Sequence, residues 1–492
     1  MTEDAASRRT TGQGDPRLHP ERRSPQSKAA ALPLRRGNWG GPKAALAALL
    51  GIALALRVVG LQYGLPFATI LDPDEQSIVP RAWRMVHGFG LDPHWFDYPS
   101  FVLYVLAPFQ AWNDSPSILT ARIVSVAFGL AAVASAWWLG RRAYGTVAGV
   151  VGGAFVAVQT TSVAYSHAAV TDVPLEAGVA AALALMVSDR LAWAGVVVGL
   201  ATSAKYPGVL LLVPLVVAGF RRWHRLAASI GLAAASFLAT SPFVLAHPGQ
   251  AWSDASRVQR LARDGWLGFE NDSFALFSFS GRFWHTLGPA LIVAVVGIGA
   301  AIVARTRPDL ILLSFIAVYA IDLLTIRAHF DRYLLPLVPV LGVLAGRLRA
   351  LAPVTLLLLV IPLTYSIRDD LTLTGTDTRV VAARWIAQHV PVSAPIAAES
   401  STLPLAGRPV LPLLLPGPGR PSDPNRDVAR LRREGIRYVL VTGAVADRVL
   451  AARSHYPREV RFYLQLQRQG TRLYYVKPNH GLAGPWVAVY RL

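Results

Sequence analysis

The sequence predicts a polytopic α-helical membrane protein with about eleven transmembrane helices and a small α/β domain at its C-terminal end. Three observations predict it. Hydrophobic residues fill 53% of the 492 positions and charged residues only 16%, against about 25% charged in a typical soluble domain. Long apolar runs recur from Ala44 to Ile367. From Arg368 onward the composition becomes that of a soluble domain.

Residues 1–43 hold nine Lys/Arg against four acids, with many Ser, Pro and Gly and no apolar periodicity, so they are expected to be a disordered basic tail. That tail is too long and polar for a signal-peptide n-region, and Ala44–Leu65 is longer than a usual hydrophobic region, so it reads as a retained first helix. Residues 44–367 form the expected membrane domain. Its spans are read as Ala44–Tyr63, Ser117–Leu139, Thr146–Ala164, Val173–Val187, Leu191–Ala204, Gly208–Phe220, Leu226–Leu245, Leu287–Ala304, Leu310–Leu324, Tyr333–Gly346 and Leu351–Ile367. Tyr98–Trp112 is apolar but short and contains Pro99 and Pro108, and charge decides against it as a span. With it excluded, the loops on the N-terminal side carry Arg141, Arg142, Arg190, Arg221, Arg222, Arg225, Arg305, Arg307, Arg347 and Arg349. The short loops opposite carry only Lys205, Arg327 and Arg332. By the positive-inside rule the N-terminus is then cytoplasmic, and loops 66–116 and 246–285 and residues 368–492 lie outside the cell membrane. In that last part Thr376–Val390 reads as a helix capped by Thr376 or Asp377. Asp423-Pro424 reads as the start of another helix ending near Gly435. Tyr438–Val441, Leu473–Val476 and Val487–Tyr490 read as strands.

The polar stretch Leu71–Ser100, LDPDEQSIVPRAWRMVHGFGLDPHWFDYPS, concentrates the chemistry-bearing residues of the first outer loop. Asp74 and Glu75 are candidates for a general base towards a hydroxyl or amine, since partial burial at a membrane surface tunes a carboxylate for that work. Asp-Pro-Asp-Glu is also a good start for a helix over Glu75–Val86, and capping alone would explain the acids. His94, Trp95, Asp97 and Tyr98 form a polar–aromatic cluster whose His and acid could bind a divalent metal, but no ligand spacing is diagnostic and packing of the loop on the membrane surface is the favoured reading. Asp172 and Lys205, and Arg327, His329, Asp331 and Arg332, interrupt apolar sequence on the same expected face. Ionisable residues there are functional candidates by default, and phosphate is the natural partner of the cations. Headgroup contacts and internal ion pairs are the competing reading.

The chain has no Cys, which excludes disulfides, thiolate metal sites and Cys nucleophiles. No Walker loop, strand-borne GxGxxG, GxSxG or HExxH occurs, which removes the common ATP, NAD, esterase and zincin readings. The net charge of +19 is spread over loops and tail, so anionic lipid and phosphate-bearing substrates are the expected partners rather than nucleic acid.

Several segments then resemble a known family. The Asp74-Glu75 pair is followed by Gly88–Ser100, Thr-Asp-Val-Pro-Leu (Thr171–Leu175), Ser-Ala-Lys-Tyr-Pro-Gly (Ser203–Gly208), Arg332-Tyr-Leu-Leu-Pro336, Arg384-Trp-Ile386 and Gly484–Tyr490. In this order they resemble the bacterial branch of the GT-C glycosyltransferases, which groups with protein O-mannosyltransferases and the aminoarabinose transferases of lipid A. The resemblance implies transfer of a sugar from a polyprenyl phosphate or diphosphate to a lipid, glycan or protein acceptor on the outer face, with inversion. It implies that Asp74 or Glu75 is the base, with Asp74 favoured, and that Lys205, Arg327 and Arg332 serve the leaving phosphate. Some members bind a divalent metal ion, the one cofactor the resemblance allows. A transporter or flippase of a lipid-linked glycan is the competing function; it would place ionisable groups near the bilayer midplane in repeated halves.

Overall fold

The structure is a computed structural model that describes residues 41–67 and 70–492; the tail expected over residues 1–43 lies almost wholly outside the described residues. The apolar sequence folds into helices throughout. Helix α1 (Pro42–Val58) is followed by α2 (Glu75–Val86), α3 (Phe101–Gln110), α4 (Ile118–Tyr144), α5 (Thr146–Val158), α6 (Thr160–Ser166), α7 (Asp172–Val187) and α8 (Leu191–Ala204). A 3-10 segment (Tyr206–Leu211) leads into α9 (Leu212–Gly219), then α10 (Trp223–Thr240), α11 (Phe243–Ala246), α12 (Pro248–Asp264), α13 (Ala275–Leu287), α14 (Ala290–Ala304) and α15 (Arg307–Leu324). A second 3-10 segment (Asp331–Leu337) opens α16 (Val338–Arg347), before α17 (Ala352–Leu358) and α18 (Val360–Thr372).

Every expected span contains helix, yet few are single long rods. Among the described residues, Ile118–Ala143 and Arg349–Thr372 are long and apolar enough to cross a membrane, and α5 with α6 makes a third if that pair, bent by 58°, counts as one span. The interruptions have local causes. Gln159 turns extended between α5 and α6 and caps α6 by accepting the Ser162 N–H. The α5 carbonyls freed by this break are taken by Arg57 of α1, which reaches Val156 O at 2.9 Å and Ala157 O at 3.0 Å; a buried carbonyl needs such a partner. Pro207 and Pro336 fall in the two 3-10 segments, where an α-helical N–H would be missing. Tyr98–Trp112 supplies a ten-residue helix, α3, about 15 Å long and half a hydrocarbon core. It packs Val102, Leu103 and Leu106 with Ile78, Val79 and Ala82 of α2.

The apolar core is shared by α1, α4, α5, α7 and α16. Small residues let these helices touch, as membrane helices require: a Cβ on Gly140 would stand 2.3 Å from the Ala148 carbonyl oxygen.

After α18 comes mixed α/β structure. A five-stranded sheet has the order β3 (Val410–Leu413), β2 (Ile396–Glu399), β4 (Tyr438–Thr442), β7 (Val487–Arg491), β5 (Thr471–Val476). β3, β2 and β4 run parallel, and β7 is antiparallel to both of its neighbours. Two short strands, β1 (Thr376–Asp377) and β6 (Leu482–Ala483), pair separately. Alternation along β4 explains the two cores. Val439 and Val441 face α20 (Val428–Arg433), α21 (Gly443–Ala451) and α22 (Pro457–Gln469), while Leu440 faces α19 (Thr378–His389). The three expected strands are β4, β5 and β7. Asp377 caps α19 by accepting the Arg379 N–H. The helix expected from Asp423 starts later, capped by Asp427. Asp423 instead accepts the N–H groups of Leu414 and Asn425, holding a loop.

Candidate active site

Asp74 sits at the N-cap position of α2, but its side chain makes no capping bond. Its Oδ2 instead accepts from the Tyr98 hydroxyl at 3.0 Å and from Arg332 Nη1 at 2.9 Å. Asp72 orients the turn by accepting the Asp74 N–H at 2.8 Å, and its other oxygen lies 3.6 Å from Arg332 Nη1. The Asp-Pro-Asp-Glu turn is therefore held by Asp72, which leaves the Asp74 carboxylate to the site.

A second ion pair stands beside the first. Lys205, in the break after α8, donates to Oδ1 of Asp172 at the start of α7, at 2.6 Å. Two aromatic rings join the pairs: Lys205 Nζ is 5.5 Å from the Tyr98 ring and 5.4 Å from the Tyr333 ring, and Arg332 lies 6.0 Å from the latter. The four charged groups thus come from four element ends, at α2, α7, the α8 break and the 3-10 segment before α16. Among the described residues, Asp172 Oδ2 and Arg332 Nε are buried without a protein partner. Unfilled hydrogen-bonding capacity of this kind is costly in a merely structural cluster. The centre therefore has spare donors and a spare acceptor for a charged, hydroxyl-bearing ligand.

Electrostatics distinguishes the acids. Burial, and next the Asp74 carboxylate, push the Asp72 carboxyl up from 3.8 to about 7, against the pull of Arg332. Its folded-state pKa is raised, so its contribution to stability is full below the unfolded value and is lost as pH climbs towards about 7. Asp72→Asn removes this titration. The melting temperature of the wild type in detergent should fall more steeply between pH 5 and pH 8 than that of the variant, and parallel curves would contradict the assignment.

Glu75 has a different environment. It is completely buried and forms a two-pronged pair with Arg122, Nε to Oε1 at 2.8 Å and Nη2 to Oε2 at 2.7 Å. The Ala169 N–H also reaches Oε1 at 3.0 Å, and Arg122 Nη1 donates to the carbonyls of Leu61 and Tyr63. Glu75 thereby ties α2, α4 and the segment before α7 behind the site.

The remaining sequence candidates lie elsewhere. Arg327 and His329 line a cavity of about 700 Å³ with Asp264, Trp266, Glu270 and Asp272; His329 is bound to Asp272 at 3.0 Å and to the Ile326 carbonyl at 3.1 Å. His94 is in contact with Asp92, not with Asp74. Sequence reading passed over Tyr333, although it adjoins Arg332. It also passed over Arg122, whose signal was a charge within an apolar run.

Residues 97–247, which carry Tyr98, Asp172 and Lys205, match the family described as dolichyl-phosphate-mannose-protein mannosyltransferase. The fold is similar to that of ArnT from Cupriavidus metallidurans bound to undecaprenyl phosphate, with a TM-score of 0.56 at 15% identity, covering 91% of this chain and 98% of that one. It is also similar to the Archaeoglobus fulgidus oligosaccharyltransferase AglB in complex with an inhibitory peptide and a dolichol-phosphate, with a TM-score of 0.52 at 12% identity over 90% of this chain and 74% of that one. No curated protein matches by sequence. The family match and the fold likenesses together show the resemblance to the GT-C membrane glycosyltransferases that the sequence motifs carry.

Proposed function

We propose that the chain is a glycosyltransferase that moves a sugar from a polyprenyl-phosphate carrier to an acceptor at the outer face of the cell membrane, with inversion. The observation that carries this reading is the placement of Asp74 Oδ2 on Tyr98 and Arg332, next to the Lys205–Asp172 pair. Among the described residues, no protein group donates to Asp74 Oδ1, which suits it to accept the acceptor's proton as the acceptor oxygen or nitrogen attacks the anomeric carbon. The bond from that carbon to the phosphate oxygen breaks in the same displacement. The spare donors of Lys205 and Arg332 then stabilise the departing phosphate, where charge develops. Asp172 holds Lys205 in position, and Glu75 supports α2 through Arg122. The likeness to a fold seen with undecaprenyl phosphate supports the choice of carrier. Residues 368–492 are assigned to an extracytoplasmic domain. On this reading the eleven apolar segments cross or line the bilayer, with the N-terminus cytoplasmic.

Transport or flipping of a lipid-linked glycan is the competing function. Against it, the expected topology gathers these charged groups on one outer face beside an outer domain, whereas a transporter would place them near the bilayer midplane. Reconstitution into vesicles with a radiolabelled polyprenyl-phosphate sugar and an envelope acceptor fraction separates the two. The transferase reading expects label in a new glycosidic product; label that only changes leaflet would overturn it. Lys205→Ala should lower kcat/KM for the carrier about 10–100-fold, the worth of one charge-assisted hydrogen bond, and an unchanged value would remove Lys205 from the phosphate site.

A further inference from the structure

A second set of chemistry-bearing groups joins the first loop to the start of α12, and no residue of the Asp74–Arg332 centre belongs to it. Asp92, His94 and His247 each offer one ligand atom, and the three atoms lie within 4.8 Å of one another. Asp92 Oδ2 is 2.7 Å from His247 Nε2 and 3.5 Å from His94 Nδ1. One carboxylate and two imidazoles form a donor set suited to zinc, which binds such atoms at about 2.0–2.2 Å and leaves tetrahedral ligands roughly 3.4 Å apart. The three atoms thus bracket this spacing, and an ion would part Asp92 Oδ2 from His247 Nε2 while drawing the wider contacts in.

The loop is already shaped for this. Asp92 Oδ1 accepts the His94 N–H at 2.9 Å, which directs Oδ2 towards His247. His94 adopts a left-handed backbone, φ 45°, a costly conformation for a residue with a β-carbon and one that collects at functional sites. Its carbonyl accepts from Gln250 Nε2 at 2.9 Å, while its ring remains 70% exposed and leaves a coordination position open to solvent. His247 immediately precedes α12, so its position is set by a regular element. An ordinary Asp92–His247 ion pair would account for one contact. A second imidazole is brought to the same carboxylate by the Asp92–His94 turn.

We propose that Asp92, His94 and His247 bind one divalent transition-metal ion of the zinc class, which fastens the 92–98 loop to the start of α12. The site does not depend on the transferase reading. The ion would add to the existing links between these segments, where the Phe96 N–H donates to Asp254 at 3.0 Å and Arg257 pairs with Asp97.

The test uses the full chain in detergent, purified without a polyhistidine tag, stripped with a chelator and titrated with Zn²⁺ against a colorimetric competitor. One Zn²⁺ should bind per wild-type chain, with affinity at least tenfold lower in His94→Ala, His247→Ala and Asp92→Asn. Zn²⁺ should also raise the melting temperature of the wild type, because a ligand of the folded state stabilises it, and should leave that of His94→Ala unmoved. The His94 ring is exposed, so the metal-free melting temperature of that variant should match the wild type and report an intact fold. Equal Zn²⁺ affinity in wild type and all three variants, or no binding by the wild type, would overturn the proposal.

Discussion

Asp74→Asn should lower the rate of sugar transfer by about 10²–10⁴-fold, the usual contribution of a positioned general base. The substitution keeps the size of the side chain and an oxygen for Tyr98 and Arg332 to bind, so the fold should survive. What disappears is the group that receives the acceptor's proton. Single-turnover transfer from a radiolabelled polyprenyl-phosphate sugar measures the effect, and carrier binding measured separately should change little. A variant that transfers within tenfold of the wild type would remove Asp74 from the chemistry. It would leave only its part in the ion-pair cluster.

Glu75 should behave in the opposite way. Its carboxylate and the Arg122 guanidinium are both completely buried and doubly bonded to each other. Removing one partner of a buried pair leaves an uncompensated charge, at a cost of about 3–5 kcal/mol. Burial itself, ahead of the opposing Arg122, pushes the Glu75 carboxyl above its ordinary value; the pair is therefore a device that fixes α2 against α4 rather than a large net source of stability. Glu75→Ala and Arg122→Ala should each lower the melting temperature strongly. Transfer per folded molecule in Glu75→Gln should fall less than in Asp74→Asn. The reverse order, a stable Glu75→Gln chain with transfer abolished, would move the base from Asp74 to Glu75.

The difference between these adjacent acids marks where sequence reading stops. Composition and apolar runs were sufficient for the helical body, and the Asp-Pro-Asp-Glu turn for a helix beginning at Glu75. Asp172, Lys205 and Arg332 stood out because charges interrupting apolar sequence are conspicuous. Their convergence with Tyr98 depends on contacts spanning up to 258 positions, such as Arg332 to Asp74, and no local pattern encodes those. Arg327 and His329 carry the same sequence signal yet open on another cavity, because Asp272 and the Ile326 carbonyl hold His329 there. The broken α5–α6 pair was hidden for a related reason. Its Gln159 is unremarkable in sequence, and the break persists because Arg57, a hundred residues earlier, satisfies the freed carbonyls. Likewise Asp92 and His247 lie 155 positions apart and meet only through the packing of α12 against the first loop.

The central claim is that the Asp74–Tyr98–Lys205–Arg332 cluster receives the carrier phosphate and the acceptor together. A structure of the full chain determined with a bound polyprenyl phosphate tests it most directly. The account predicts phosphate within hydrogen-bonding distance of Lys205 Nζ and Arg332, beside Asp74. Phosphate bound at Arg327 and His329, with the Asp74 cluster left to its internal ion pairs, would contradict it.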